Sequence, residues 1–540
     1  MSDCFGPVLI HQQSHNTLLE RNGPLFSRHF ITKSDFLQFL DCPNAFWLLK
    51  HQPRQLYQGS DDCHTARQGM EFESLVRAQW PEGVSIGGAE EERVQETQNA
   101  IESGANVLFQ ATAVNGCFYA RADLLIRLPD DSWELQEVKA ATVDPDPDSK
   151  EKDKRKTQRY LDDLTFQYLV FTAAGYRISK CSFALLNATY VRSQRLEAAR
   201  LIANIDVTEK VQQNCGRIQE LMEEAQLILR KTELPVESIA ELTCKPGHCG
   251  CTNVSYQTLP EYSVFNLRQA RRSKVSELLS QGKLAMLDLT LADIGNSNFQ
   301  ATQIQVARTG QAHIDIDAIR NSLQDLRYPL YFLDYETCNF AIPRYTDFRA
   351  WEHLTNQFSL HVQREFDGQL EHFEFLSLVD ADCSQPLAEA LRSCIADDDG
   401  SVIVWSEAFE KSRNGQIGEA VPHLRSFFDD LNVRVFDLMK VFSQGHYIDE
   451  RFAGSTSIKK VLPILCPQLS YAGLAVQNGQ KAIEHWYAAA VEGLDESETQ
   501  RVQADLLAYC KLDTLAMVEI FRSLQKLWER KKGTLYFSLK

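Results

Sequence analysis

The stretch YPLYFLDYET, residues 328–337, decides how the second half of the chain is read. Tyr331, Phe332 and Leu333 form an apolar run, so the segment reads as a buried β-strand that ends in Asp334 and Glu336. Side chains two apart share one face of a strand, so the two carboxylates project together. Adjacent carboxylates repel unless a cation sits between them, and a divalent metal site is the functional expectation. An acidic turn after a core strand is the plainer alternative.

Downstream, LEHFEFLSL and SVIVWSEAF are further strand candidates separated by the helix QPLAEALRSCI, and the second leads into Phe409-Glu410. RVFDLMKVF carries Asp437, and GSTSIKKVLPIL comes after it. ADLLAYCKLDTLAMVEIFRSL is an amphipathic helix with Tyr509 and Asp513 four apart on one face. Upstream of the opening strand, residues 256–327 read as a helical connector. RQARRSKVSELLSQGKLAML suggests a basic helix pair around Gly282, and IDIDAIRNSLQDL another helix.

In the first half, ITKSDFLQFLDCPNAFWLLK (31–50) offers Thr32 and Ser34 as helix caps, with a break at Cys42-Pro43. ARQGMEFESLVRAQW (66–80) is a second helical segment, with Gly69 and Glu73 on one face. CFYARADLLIRL and SWELQEVKA are strands joined by a Pro129-Asp130-Asp131 turn. They place Asp123 on one strand, and Glu137 and Lys139 on one face of the next. Two such carboxylates suit Mg²⁺ or Mn²⁺, and the lysine suits orienting a water against a phosphate; a surface ion pair is the alternative. Residues 145–159, PDPDSKEKDKRKTQR, are a charged run suited to solvent or to a phosphate rim. LDDLTFQYLVFTAAGY reads as a helix ending at Gly175, with Gln167 and Phe171 four apart. TCKPGHCGC gathers Cys244, Cys249 and Cys251, a metal-ligand signal whose fourth member is Cys42 or His248.

At 540 residues, two or three domains are expected. A net charge of −17 excludes broad charge-driven coating of nucleic acid, though not a nuclease with a local basic groove. MSDCFGPVLIHQQSH lacks the pattern of a secretory signal and no run of 18 apolar residues occurs, so a cytoplasmic protein that spans no membrane is expected. Fourteen cysteines then read as core residues or metal ligands rather than disulfides.

The ordered features of residues 30–255 resemble the RecB-type branch of the PD-(D/E)XK nucleases, in the form stapled by a four-cysteine iron–sulfur cluster found in CRISPR-adaptation nucleases and AddB. The resemblance implies that Asp123, Glu137 and Lys139 are catalytic, with Asp123, Glu137 and Glu73 at the metal. It also implies that Cys42, Cys244, Cys249 and Cys251 hold a [4Fe–4S] cluster, zinc being the alternative. Glu73 stands where many relatives carry histidine, Phe171 stands at the usual tyrosine, and the cysteine spacing is tighter than usual.

Residues 328–540 resemble DnaQ-type DEDD exonucleases of RNase H-like fold. Asp334-Tyr335-Glu336 is the first motif and Tyr509-Cys510-Lys511-Leu512-Asp513 the third, in its tyrosine variant. The second motif is Trp405 to Glu410, where Glu410 replaces the usual aspartate, with Asp437 ranked behind it as a ligand. The resemblance implies two metal ions held by Asp334, Glu336, Glu410 and Asp513, with Tyr509 orienting a water. The tandem order, with SDFLQFLDCPNAFWL, GSTSIKKVLP and YCKLDTLAM, resembles a bacterial two-nuclease family with a C-terminal domain of unknown function. The expectation is an α/β protein in three parts: 1–255 RecB-like, 256–327 helical connector, 328–540 DnaQ-like. Its partner would be nucleic acid, DNA favoured and RNA possible. The alternative is a nucleic-acid-binding protein in which one nuclease-like half is an inactive scaffold.

Overall fold

The opening stretch forms β9 (Leu330–Asn339), the middle strand of a five-stranded sheet. Tyr331, Phe332 and Leu333 are fully buried, as a strand flanked on both edges and covered on both faces requires. The protein is described by a computed structural model covering residues 29–56, 63–143, 154–242 and 244–537. The N-terminal 28 residues and most of the charged run, 145–153, lie outside the described residues.

The fold is α/β with two main sheets. The first runs β2 (Val84–Ser85), β3 (Val107–Asn115), β4 (Phe118–Arg127), β5 (Trp133–Val143), β6 (Ile178–Asn187) and β7 (Ile202–Asp206), with β1 (Ile31–Thr32) added to the start of β4. β4 pairs with β3 along one edge and divides its other edge between two partners: Phe118 and Tyr119 pair with β1, and Leu124 to Arg127 pair with β5. The strands part around Asp123. The turn between β4 and β5 falls where Pro129-Asp130-Asp131 predicts it, with Asp131 at φ 60°.

The second sheet has the order β11 (Leu370–Leu376), β10 (His353–Gln363), β9, β12 (Val402–Val404) and β13 (Val435–Asp437). β12 pairs with β9 only at Tyr331 and Phe332, so Asp334 and Glu336 lie beyond its end. The helix Glu496–Phe537 packs across β9 and β10: Gln357 donates to the Leu506 carbonyl (2.9 Å), and Ser359 and Thr514 hydroxyls meet at 2.7 Å. β8 (His313–Ile314) and β14 (Tyr447–Ile448) form a small separate ribbon.

Two local expectations are corrected. SVIVWSEAF is not one strand; β12 stops at Val404 and the helix Glu407–Ala420 begins after Ser406. The Trp405 indole donates to the Thr456 carbonyl, and Asp437 accepts from the Glu407 amide (3.3 Å), which caps the new helix and ends the strand. In the connector, RQARRSKVSELLSQGKLAML gives one helix, Arg272–Ser280, which stops just before Gly282 (φ 77°). The second helix is replaced by a short 3₁₀ turn, because Asp288 accepts the Leu284 and Ala285 amides. Arg268 and Arg272 donate to the Gly454 and Leu242 carbonyls.

The helix Cys63–Arg77 joins the halves. Gln68 accepts from the Ala341 amide (2.8 Å), His64 meets the Asn339 carbonyl (2.7 Å), and the Tyr487 hydroxyl donates to Glu71 (2.6 Å). Phe72, Val76, Leu124 and Val138 share one apolar cluster with Ala341 and Ala350, and the Trp351 indole donates to the Ala140 carbonyl (2.9 Å).

Candidate functional site

Period-two geometry brings Asp334 and Glu336 out on one face of β9, and the helix Glu496–Phe537 lays Asp513 against them. Carboxylate oxygens of the three lie within 4.8 Å of one another. Among the described residues no lysine or arginine forms an ion pair with any of them. Burial, and then the neighbouring carboxylates, hold Asp334 and Glu336 well above the usual carboxylate range. Burial pushes Asp513 up to about 6, against the pull of its Tyr471 hydrogen bond and of Lys459.

Glu410 stands in the first turn of the helix Glu407–Ala420 and is 3% exposed. Burial and the charges of Asp334 and Asp437 push it up to about 9, and its Oε2 is buried with no hydrogen-bond partner among the described residues. An orphaned carboxylate oxygen beside a triad of unneutralised acids is the donor set that a hard divalent cation accepts. Asp437 is committed elsewhere: its two oxygens cap the Glu407 and Met439 amides.

Three neighbours shape this centre. Tyr471 donates its hydroxyl to Asp513 (2.5 Å), and the Cys510 thiol contacts Asp334 (3.6 Å). Lys459 donates to the Tyr509 hydroxyl (3.2 Å) and to the Gln477 carbonyl (2.7 Å), its ammonium 5.0 and 5.4 Å from the Tyr509 and Tyr471 ring centroids. Lys459 and Tyr471 have no spacing that singles them out in the sequence; Tyr471 sits in a loop 42 residues from Asp513.

In the first sheet, Asp123, Glu137 and Lys139 converge where β4 and β5 part. Asp123 accepts the Val138 amide (2.9 Å), replacing a ladder bond beyond the last paired residues. The β5–β6 register shifts between Val138 and Thr142, turning Lys139 toward the acids. Its ammonium donates to Glu137 (2.6 Å) and to Asp163 (2.8 Å), and Gln167 donates to the same two carboxylates (2.7 and 2.9 Å). Glu73 lies at the rim, held by Arg77 (2.5 Å) and by Gln110, which also reaches Asp123 (3.3 Å).

Two members escaped the sequence reading. Asp163 had a usable signal, four residues before Gln167 on the same helical face; Lys33 had none, being 104 residues from Glu137, to which it donates at 2.6 Å. Burial opposes the charge on both lysines, but the surrounding carboxylates outweigh it and raise both. Burial pushes Asp123 up to about 7, with Glu137 adding to it, while Lys139 and Lys33 overcome burial and hold Glu137 low. This centre is largely neutralised by its own lysines; the β9 centre is not.

The third group is sulfur. Cys42, Cys244, Cys249 and Cys251 place their thiols within 4.8 Å of one another, and His248 is exposed outside the group. Cys42 contacts Cys244 at 3.5 Å and Cys251 at 3.6 Å, and Cys251 contacts Cys249 at 3.5 Å. Zinc–sulfur bonds of ~2.3 Å give a tetrahedron with edges of about 3.8 Å, close to these separations. A cluster with an iron at each sulfur needs a wider cage than these separations give. The four thiols form one close group joining the N-terminal helices to residues 244–251, a donor set that suits a soft metal ion.

Residues 331–457 match the family described as a domain of unknown function, DUF2779. The matched segment includes Asp334, Glu336 and Glu410 and ends before Lys459, Tyr509 and Asp513. The chain is 24% identical over 242 residues to the uncharacterized protein MG366 of Mycoplasma genitalium, covering 41% of this chain and 35% of that one. It is 24% identical over 220 residues to the MG366 homolog of Mycoplasma pneumoniae, covering 36% and 32%. The chain thus spans about a third of the length of these relatives. A solved structure described as "Crystal structure of SSO0001" is 15% identical with a TM-score of 0.17, covering 38% of this chain and 78% of that chain.

Proposed function

We propose that the protein is a metal-dependent nuclease, with its principal centre at Asp334, Glu336, Glu410 and Asp513. One observation carries this reading: the acids crowd together in a buried site with no ion-pair partner among the described residues, which costs stability unless a cation joins them. Mg²⁺ or Mn²⁺ bound there would supply an activated water and a counter-charge for the leaving oxygen of a phosphodiester. The chain's own groups do the positioning. Tyr471 fixes Asp513, and Cys510 steadies Asp334. Lys459 holds the Tyr509 hydroxyl beside the carboxylates, where it orients the attacking water.

On this reading the first half is RecB-like and the second DnaQ-like, as the sequence resemblance implies. The substrate is DNA, with RNA as the alternative, and the thiol group holds a [4Fe–4S] cluster or a zinc ion that staples the first half. The protein would work in the cytoplasm. A panel of labelled DNA and RNA substrates with Mg²⁺ or Mn²⁺ tests the proposal; cleavage no greater than that of an Asp334→Ala, Lys139→Ala double variant refutes it. A second reading, in which the first half is a non-catalytic scaffold, is favoured by the two lysines that already neutralise Glu137 and Asp163. Full activity of Lys139→Ala alongside loss in Asp334→Ala would establish it.

A further inference from the structure

Lys33 occupies a position that local rules discourage. It is the first residue of the helix Lys33–Asp41, whose N-cap is Thr32 in a capping box with Asp35. The amide-rich end of a helix repels cations, so an ammonium there needs compensation. The compensation comes from across the fold. The Lys33 ammonium lies 2.6 Å from Glu137, 3.8 Å from Asp163 and 4.0 Å from Asp123. It therefore stands between Asp123 and Glu137, the two acids expected to hold a metal, and shares the same Glu137 oxygen with Lys139. Lys139 is anchored differently, with its second contact to Asp163 at 2.8 Å. A locally unfavourable residue held, among the described residues, by the site's own acids alone has the marks of a functional placement.

We propose that Lys33 is a resident counter-ion of the first centre, a positioning residue that a divalent cation must displace from Glu137 before Asp123 and Glu137 can both bind it. The inference rests on the metal-dependent reading of that centre. Three carboxylates, Asp123, Glu137 and Asp163, face two ammoniums; a divalent ion added beside both would place three cations on the same few oxygens. Lys33 is the one that moves. Beyond Glu137 its contacts are long, 3.8 Å to Asp163 and 4.0 Å to Asp123, whereas Lys139 holds Asp163 at 2.8 Å, so its departure leaves Lys139 to neutralise Asp163. The lysine thus holds the acids together without metal and sets a threshold that weakly binding cations do not pass.

The test uses the full chain carrying Asp334→Asn and Asp513→Asn, so that Mn²⁺ binding by electron paramagnetic resonance reports the first centre. Lys33→Met is expected to tighten Mn²⁺ on the order of tenfold, the effect of removing one opposing charge a few ångströms away. Lys33→Arg keeps the charge and is expected to stay near the parent. Thermal unfolding supplies the second measurement. Lys33→Met is expected to melt earlier than the parent in EDTA and to gain more from Mn²⁺, whereas a lysine that only braces the fold lowers both melts equally. Unchanged or weakened Mn²⁺ affinity in Lys33→Met, or equal Mn²⁺ gains, overturns the inference. Cleavage at the second centre is measured separately, on the chain with Asp334 and Asp513 intact, so this failure is distinct from failure of the nuclease reading.

Discussion

Asp513→Asn removes one negative charge from the β9 centre while keeping the oxygen that accepts the Tyr471 hydroxyl. Burial lifts Asp513 from an ordinary 3.8 to about 6 in the folded protein. The folded state therefore holds a proton that the unfolded chain releases, and stability falls as pH climbs from about 4 through 6. At pH 8 both states are ionised, and at about 1.36 kcal/mol per pH unit the buried charge costs about 3 kcal/mol. The same relation leaves about half that cost at pH 5. In EDTA at pH 8 the variant should therefore be more stable by about 3 kcal/mol, or a rise in Tm of about 6–12 °C for a unit of roughly 200 residues. The gain should halve at pH 5. Adding Mn²⁺ should stabilise the parent more than the variant, reversing or closing the gap. Thermal melts of both proteins in EDTA and in Mn²⁺ at the two pH values make the measurement. A variant that gains nothing at pH 8 in EDTA, or that responds to Mn²⁺ as fully as the parent, refutes the claim that these acids form a cation site.

Other perturbations separate the parts. Glu410, pushed up to about 9, is protonated at pH 7.5 without metal, so Glu410→Gln should leave the melt in EDTA nearly unchanged while lowering Mn²⁺ affinity, measured by calorimetric titration. Tyr509→Phe removes the hydroxyl held by Lys459 and should lower kcat about a hundredfold with little change in KM, read by single-turnover cleavage. Protein purified without oxygen should be brown, with iron and sulfide in equal amounts; a colourless protein containing zinc would assign the four thiols to a single ion. Cys251→Ser should lose the metal by elemental analysis and lower the melting temperature of the first half. Gln68→Ala strands the buried Ala341 amide at a cost of about 1–3 kcal/mol, and hydrogen exchange at Ala341 should quicken accordingly.

The residues legible in the sequence were those fixed by short-range geometry. Asp334 and Glu336 follow from the two-residue period of a strand, Tyr509 and Asp513 from the helical turn, and Glu137 and Lys139 from a hairpin marked by its Pro-Asp-Asp turn. Cys244, Cys249 and Cys251 announce themselves by crowding, and Cys42 rather than His248 completes their group. What stayed hidden depends on long-range packing. Lys33 looks like an ordinary residue opening a helix until the fold brings Glu137 to it, and Lys459 matters only because Tyr509 arrives from another element. The mistaken continuation of SVIV into a strand failed for the same reason, since the cap that stops it is Asp437, 30 residues beyond Glu407.

The sulfur group also imposes an order on synthesis. Cys42 and Cys251 are 209 positions apart, and all strands of the first sheet are made between Ile31 and Asp206, before Cys244 exists. At translation rates of 5–20 residues per second the first ligand waits roughly 10–40 s for the last. During that interval the helix Lys33–Asp41 has its sheet partners but Cys42, just past its end, lacks its three thiol neighbours. If the group holds the proposed metal, loading is a late event in building the first half, and a cell short of that metal would accumulate finished chains still open at their oldest end.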